Sequence, residues 1–278
     1  MRLALFLGLL VLVAAIAARS GGYERAYRAA VRPQLAGGPE RLVTEADLAT
    51  LPEPVRVYLR RAGAVGRPRV RNFRVRFAGT FRNGLKAPWM DFRSEQYDFV
   101  DRPARMFLMR GSLRGVPARG LHLFQDGAAS MRIQLASLFQ VVDARGPELD
   151  QGETVTWFND LCLFAPAALV DPRIQWEPEG PSAARARVRL GRVAIGALLR
   201  FGPDGDLVDF VSEDRFLSAD GKSYRRYPWS TPAGDYRDIG GRRVPGYGEA
   251  VWHTPEGEFC YGRFHLADIE YNCGPESL

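Results

Sequence analysis

The chain reads as an α+β protein dominated by strands: a large curved antiparallel sheet, in effect a half-barrel, packed on one apolar helix and preceded by short helices. Three observations predict this. Leu199 to Tyr271 is a ladder of strand-like segments broken by Asp204-Gly205, Asp220-Gly221, Gly240-Gly241 and Glu256-Gly257, which are turn signals. From Arg67 onward the residues take a period of two, with Arg69, Arg71, Arg74 and Arg76 alternating with Val70, Phe73, Val75 and Phe77. The strand pattern is interrupted once, by an apolar helical stretch near Thr154 to Leu169.

The first 18 residues set location. Leu3 to Ala18 is apolar or small throughout, and at ~1.5 Å per residue it reaches about 24 Å, short of a ~30 Å hydrocarbon core. Ala15-Ile16-Ala17 fits a signal-peptidase site, so the segment is read as a cleaved signal or an N-terminal membrane anchor. Arg19, Arg25, Arg28 and Arg32 follow it, and a literal positive-inside count would hold that flank in the cytoplasm. Export is favoured, which places the domain in the cell envelope, outside the cytoplasm. Residues 19–43 read as a juxtamembrane helix and linker broken at Gly37-Gly38-Pro39, and residues 44–278 as a single domain.

Thr44 caps a helical turn, and Pro52 to Ala62 is a helix stopped by Gly63. The apolar phase slips at Asn72-Phe73, which predicts a β-bulge there. Strands follow at Trp89 to Val100, Arg105 to Gly111 and Val116 to Gln125, and Asp126-Gly127 turns into Ser130 to Leu135. Asp150 and Glu153 have capping-box spacing at the start of the helix carrying Val155, Trp157, Phe158, Leu161, Cys162 and Phe164. Strands resume near Ile174.

Hydrophobic residues at 46% and charged residues at 25% are ordinary globular composition. The net charge of +6 is uneven: residues 56–119 carry an excess of +12 and the remainder is acidic. With 36 Arg against 2 Lys, the arginine skew reads as a compositional habit of the chain.

Chemistry is sparse. Asp150 and Glu153 have a structural role at cap spacing. His122, His253 and His265 fall at separated strand positions; a hairpin through Thr254 to Gly257 would set His253 beside Glu258 and His265 beside Gly246, too far apart to share a metal. No Gly-x-Ser-x-Gly elbow, C-x-x-C, dinucleotide fingerprint or P-loop occurs. Cys162 reads as core. Cys260 and Cys273 on one strand would lie ~40 Å apart at about 3.3 Å per residue, beyond disulfide reach. No metal or cofactor is implied. The stripe Arg69/Arg71/Arg74/Arg76 is read as a solvated strand face, with contact to an anionic membrane surface as its functional alternative; nucleic acid is disfavoured because no aromatic residues share that face. A curved sheet closed by one apolar helix makes room for an apolar ligand, with Trp89, Trp157, Phe158, Leu161 and Trp252 as lining residues.

Three blocks carry a resemblance: Leu51-Pro-Glu-Pro-Val-Arg-Val-Tyr-Leu-Arg-Arg-Ala-Gly63, Asp143-Ala-Arg-Gly-Pro-Glu-Leu-Asp-Gln-Gly-Glu153 and Asp235-Tyr-Arg-Asp-Ile-Gly-Gly-Arg-Arg-Val-Pro245. Together they resemble an uncharacterised bacterial family of unknown function, over most of the chain after residue 45. The last block is also similar to a hairpin of the periplasmic lipoprotein-carrier half-barrels, which implies a sheet wrapped around apolar helices that binds acyl chains. The leading expectation is therefore a non-enzymatic envelope protein that binds a lipid or other apolar molecule between sheet and helix. A structural or protein-interaction module of the envelope is the alternative, and a hydrolase built from scattered acid–base residues is third.

Overall fold

The computed structural model describes residues 21–35, 37–218 and 222–278. The expected signal or anchor at residues 1–18 and the turn at Asp220-Gly221 lie outside the described residues.

Fourteen strands form one antiparallel sheet in the order β6-β5-β4-β3-β2-β1-β16-β15-β13-β10-β9-β8-β7, with β14 also paired to β15. The central strands are β1 (Asn72–Phe81), flanked by β2 (Met90–Phe99) and the long hairpin β15 (Arg242–Thr254) and β16 (Gly257–Tyr271). One wing continues through β3 (Ala104–Leu113), β4 (Val116–Gln125), β5 (Ala128–Leu135) and β6 (Phe139–Arg145). The other runs through β13 (Trp229–Ser230), β10 (Leu207–Ser212), β9 (Val193–Phe201), β8 (Ala183–Leu190) and β7 (Ile174–Pro178). The Gly240-Gly241 turn joins β14 (Ala233–Ile239) to β15, with both glycines at positive φ, where a Cβ would be strained.

A separate pair, β11 (Phe216–Leu217) and β12 (Arg225–Arg226), stands off the main sheet, and the described residues include four α-helices: α1 (Gly22–Val31), α2 (Glu45–Leu48), α3 (Glu53–Arg61) and α4 (Pro147–Phe164). Helix α4 touches β2 to β6 on one wing and β9, β10 and β15 on the other. A helix can meet both wings only if the sheet curls around it, which makes the half-barrel. Its sequence allows this, because from Gly152 to Phe164 every residue but Thr156 is buried. Phe158 packs edge-on against Phe210, and Phe164 against Phe77. Helix α3 closes the C-terminal end of α4, where the Tyr58 hydroxyl donates to the Cys162 carbonyl at 2.8 Å.

Three sequence expectations shift. The helix begins one turn before Asp150, with Pro147 at its first position, so Asp150 and Glu153 are not its capping box. Asp150 instead accepts the Ala129 N–H at 2.6 Å, and Glu153 turns inward to a buried arginine. The bulge expected at Asn72-Phe73 is where β1 begins; the register break with β16 falls at Arg76/Phe77. His265 pairs with Tyr247, not Gly246, because an extra residue, Tyr261, is inserted opposite Ala250/Val251. That bulge turns Tyr261 toward the concave side, where it meets Trp229 and Trp252.

The segment expected to be a juxtamembrane helix and linker packs onto the sheet. Tyr23, Tyr27, Val31 and Leu35, spaced by four, cover Tyr97, Phe99, Met106, Leu108 and Leu121 on the convex side. Glu24 pairs with Arg110 at 3.1 Å and Arg119 at 3.6 Å. Tyr27→Ala should lower stability by about 3 kcal/mol, as large-to-small changes at buried aromatics do. Urea unfolding would report the loss, and limited proteolysis should then release α1.

Candidate functional site

Directly opposed residues of an antiparallel pair share a face, so the register sorts the β3–β6 wing into two sides. Gln96, Asp98, Arg105, Phe107, Met109, Leu113, Val116, Ala118, His122, Met131, Ile133, Leu135 and Phe139 face the concave side. Its lower half, next to the ends at Phe99 and Gln125, lies under α4.

Arg105 is buried there and makes three side-chain hydrogen bonds. It donates to Asp160 at 2.8 Å, Glu153 at 3.0 Å and the Gln96 amide oxygen at 2.9 Å. Glu153 and Asp160 are seven residues apart and share one face of α4. Gln96 donates to Asp160 at 2.7 Å and also to Asp98. The chain continues through Asn159, which donates to Asp160 and accepts from Thr231, beyond β13 on the opposite wing. Burial works against ionisation of Glu153, yet Arg105 with His122 holds its carboxyl down to about 2. Burial, reinforced by Asp160, pushes Asp98 well above the carboxylate range, and its Oδ1 has no hydrogen-bond partner. This network is a clamp: it fixes the rotation and depth of α4.

The upper half of the same concave wing is uncovered. Met109, Leu113, Ala118, Ile133 and Leu135 are half-buried; Val116 is 42% exposed and Phe139 66%. The convex side at the same level is polar, with Arg110, Ser112, Arg119, Gln134 and Gln140. An apolar strip four strands wide thus faces solvent from inside the half-barrel, about 14 Å across at ~4.8 Å per strand.

The residues expected to line a ligand site fall in three places. Trp157, Phe158 and Leu161 are sealed in the core beneath α4, and the Trp157 indole N–H donates to the Phe99 carbonyl at 2.9 Å. Trp252 is buried on the opposite concave wall, stacked near Tyr261. Trp89 stands apart at the rim, clasped by Arg82 at 4.5 Å and Arg263 at 4.7 Å. Two surface clefts, of about 230 and 180 Å³, lie beside β14 and beside α1, away from the interior.

The arginine stripe is largely neutralised. Arg69 pairs with Asp171 and Asp101, Arg74 with Glu270 and Asp268, and Arg76 with Glu95 and Asp268. Arg71 donates to the Gly38 carbonyl. The stripe therefore presents mixed charge.

One contact among polar groups was not foreseen. The Ser230 hydroxyl and His253 Nε2 are 2.8 Å apart, and His253 Nδ1 lies 3.4 Å from Glu258. Ser230 is only 2% exposed within the sheet, which leaves no space for a substrate carbonyl at its oxygen. Cys162, Cys260 and Cys273 are free thiols, and burial pushes Cys273 up to about 11, so it is unreactive. Among the described residues no group of His, Cys, Asp or Glu could hold a metal ion, and no helix is long and apolar enough to cross a membrane.

A family model described as a family of unknown function (DUF6544) matches residues 41–264. The chain belongs to the DUF6544 family. No curated protein matches it. Among solved structures, a LolA superfamily protein from Nitrosomonas europaea is 10% identical with a TM-score of 0.43, covering 80% of this chain and 96% of that one. A putative outer membrane lipoprotein-sorting protein domain from Vibrio parahaemolyticus is 10% identical with a TM-score of 0.39, over 73% and 86%. A DUF1329 family protein from Desulfovibrio piger is 11% identical with a TM-score of 0.39, over 80% and 92%.

The clamp yields two expectations. Arg105→Met leaves buried carboxylates unpaired and should cost about 3–5 kcal/mol in urea unfolding. The folded pKa of Glu153 lies below the ordinary 4.5, so its stabilisation is present above that value and is lost as pH falls from 4.5 toward 2; Glu153→Gln should flatten that acid limb. Asp98 has the opposite sign. Its raised folded pKa makes ionisation destabilising as pH rises above about 4. Asp98→Asn should therefore gain on wild type between pH 4 and pH 8 in the same assay.

Proposed function

We propose that the protein is a non-enzymatic, envelope-associated half-barrel that binds the apolar chain of a lipid or similar molecule on the open upper half of the concave β3–β6 wing. The observation that carries this is the inverted surface of that wing. On the concave side Val116 and Phe139 are exposed and Leu113, Ile133 and Leu135 half-buried, while the side that faces outward is polar. The site differs in place from the one expected between sheet and helix, because the α4 clamp fills that space with Trp157, Phe158 and Leu161.

The energetics are adequate for a reversible carrier. At ~0.8 kcal/mol per desolvated CH₂, roughly ten methylenes correspond to micromolar affinity before the entropy of association is subtracted. The envelope location belongs to the same proposal and rests on the apolar run Leu3 to Ala18.

A second reading has its own observation. Edge strand β6 exposes Phe139 and also Val141, which is 52% exposed, beside unpaired backbone, a surface suited to pairing with another envelope protein. Crosslinking in cells from position 141 separates the two: one dominant protein adduct with no bound lipid favours docking.

Leu135→Glu and Phe139→Glu test the lipid reading. Both sites are partly or largely exposed, so the thermal midpoint should stay within a few degrees of wild type. Affinity for a C12–C16 chain, measured by titration calorimetry, should fall by about tenfold or more, because a charge would be covered without a partner. Absence of lipid in native mass spectra, together with no chain binding by wild type, would sink the reading.

A further inference from the structure

The segment after β10 sets Arg215 beside the N-terminal half of α4. Gln151 holds it there by donating to the Asp214 carbonyl at 3.0 Å. The guanidinium of Arg215 lies 4.2 Å from the ring centre of Trp229 and 5.5 Å from that of Trp252. Arg215 Nε lies at van der Waals distance, 3.8 Å, from where a Cβ at Gly152 would stand. Among the described residues no carboxylate pairs directly with this arginine, although its charge helps keep the nearby Glu153 ionised, and its buried Nε has no hydrogen-bond partner. The adjacent Asp214 is occupied by Arg226 and the Gly196 N–H. Glu153, on the next position of α4 after Gly152, is held by Arg105.

Tyr261 completes the arrangement. Its oxygen accepts from the Trp229 indole N–H at 3.1 Å and from Arg215 at 3.5 Å. With both of those contacts accepted, its own O–H proton remains available to donate. A planar guanidinium held over Trp229 and near Trp252 by cation–π attraction carries the fork of donors that suits two-pronged binding of a carboxylate or phosphate.

The position suits the chain site as well. Glu153 lies 3.8 Å from His122, a concave residue of β4, so Arg215 stands across the floor from the wing that carries the strip. Along β5, Ala129 at the helix and Ile133 on the strip are four residues apart, about 13 Å.

We propose that Arg215 and Tyr261 bind the anionic head group, carboxylate or phosphate monoester, of the chain-bearing ligand. This rests on the lipid reading above and names the class of amphiphile.

The test is equilibrium binding of dodecanoate, dodecyl phosphate and uncharged dodecanol to the full chain. Wild type should prefer at least one anionic probe to dodecanol, and the probe preferred tells carboxylate from phosphate. Arg215→Gln should weaken that probe by about tenfold, the scale of a charged hydrogen bond, and leave dodecanol unchanged. Arg215→Lys, which keeps the charge, should recover part of the loss. Should Arg215→Gln unfold the protein, Tyr261→Phe keeps the ring and must still weaken the anionic probe selectively. Equal binding of all three probes by wild type and both variants overturns the head-group site while the apolar strip stands. Failure of wild type to bind any probe overturns both.

Discussion

Everything in this molecule turns on one buried arginine. Arg105 on β3 holds Glu153 and Asp160 on α4, and the hydrogen bonds run on through Asn159 to Thr231 on the far wing. The helix is buried around most of its circumference and has almost no solvent-facing side to tell it which way to turn. Hydrophobic burial would accept many rotations of such a rod. A charge buried without its partner is far more costly, so only the rotation that brings both carboxylates to Arg105 is tolerated. The network thus sets where α4 lies, and α4 in turn holds the two wings at their distance.

That placement explains why the concave wing is divided. The helix covers the end of β2 to β5 nearest Arg105 and leaves the other end bare. On the outer face α1 covers the same end, burying Tyr97, Met106 and Leu108 and pairing Glu24 with the arginines that begin the polar zone. The apolar residues of one wing are therefore used three ways: under α4, under α1, and uncovered. Only the third set has no packing role in the fold. The opposite wall adds two indoles, a bulged tyrosine and an arginine with no carboxylate partner among the described residues, which gives the trough a polar end as well as an apolar one.

Much of the architecture was legible. The alternation of Val116–Gln125 marks β4 with its bounds, strands resume near Ile174 as the pattern predicts, and Gly240-Gly241 is the hairpin turn its composition suggests. These features are local: alternation, turn chemistry and a proline or glycine at an element's end. The misplacements share a cause. A bulge adds a residue without altering composition, so Tyr261 looked like any strand residue and the pairing of His265 came out one position off. Asp150 and Glu153 have the spacing of a cap, but their partners, Ala129 and Arg105, are far away in the chain. Leu135 and Phe139 carried no signal at all, since an apolar strand residue left bare reads the same as one that is covered.

The sequence by itself therefore determined the strand ladder, its turns and a single helix too apolar to face water, because each depends on neighbours within a few residues. Tertiary structure alone decided how the helix is clamped, which half of a wing it covers, and that Arg215 has no directly paired carboxylate among the described residues. Those depend on which charges meet after the sheet has curled, and Arg105, Glu153 and Arg215 are too widely separated along the chain for any local pattern to pair them.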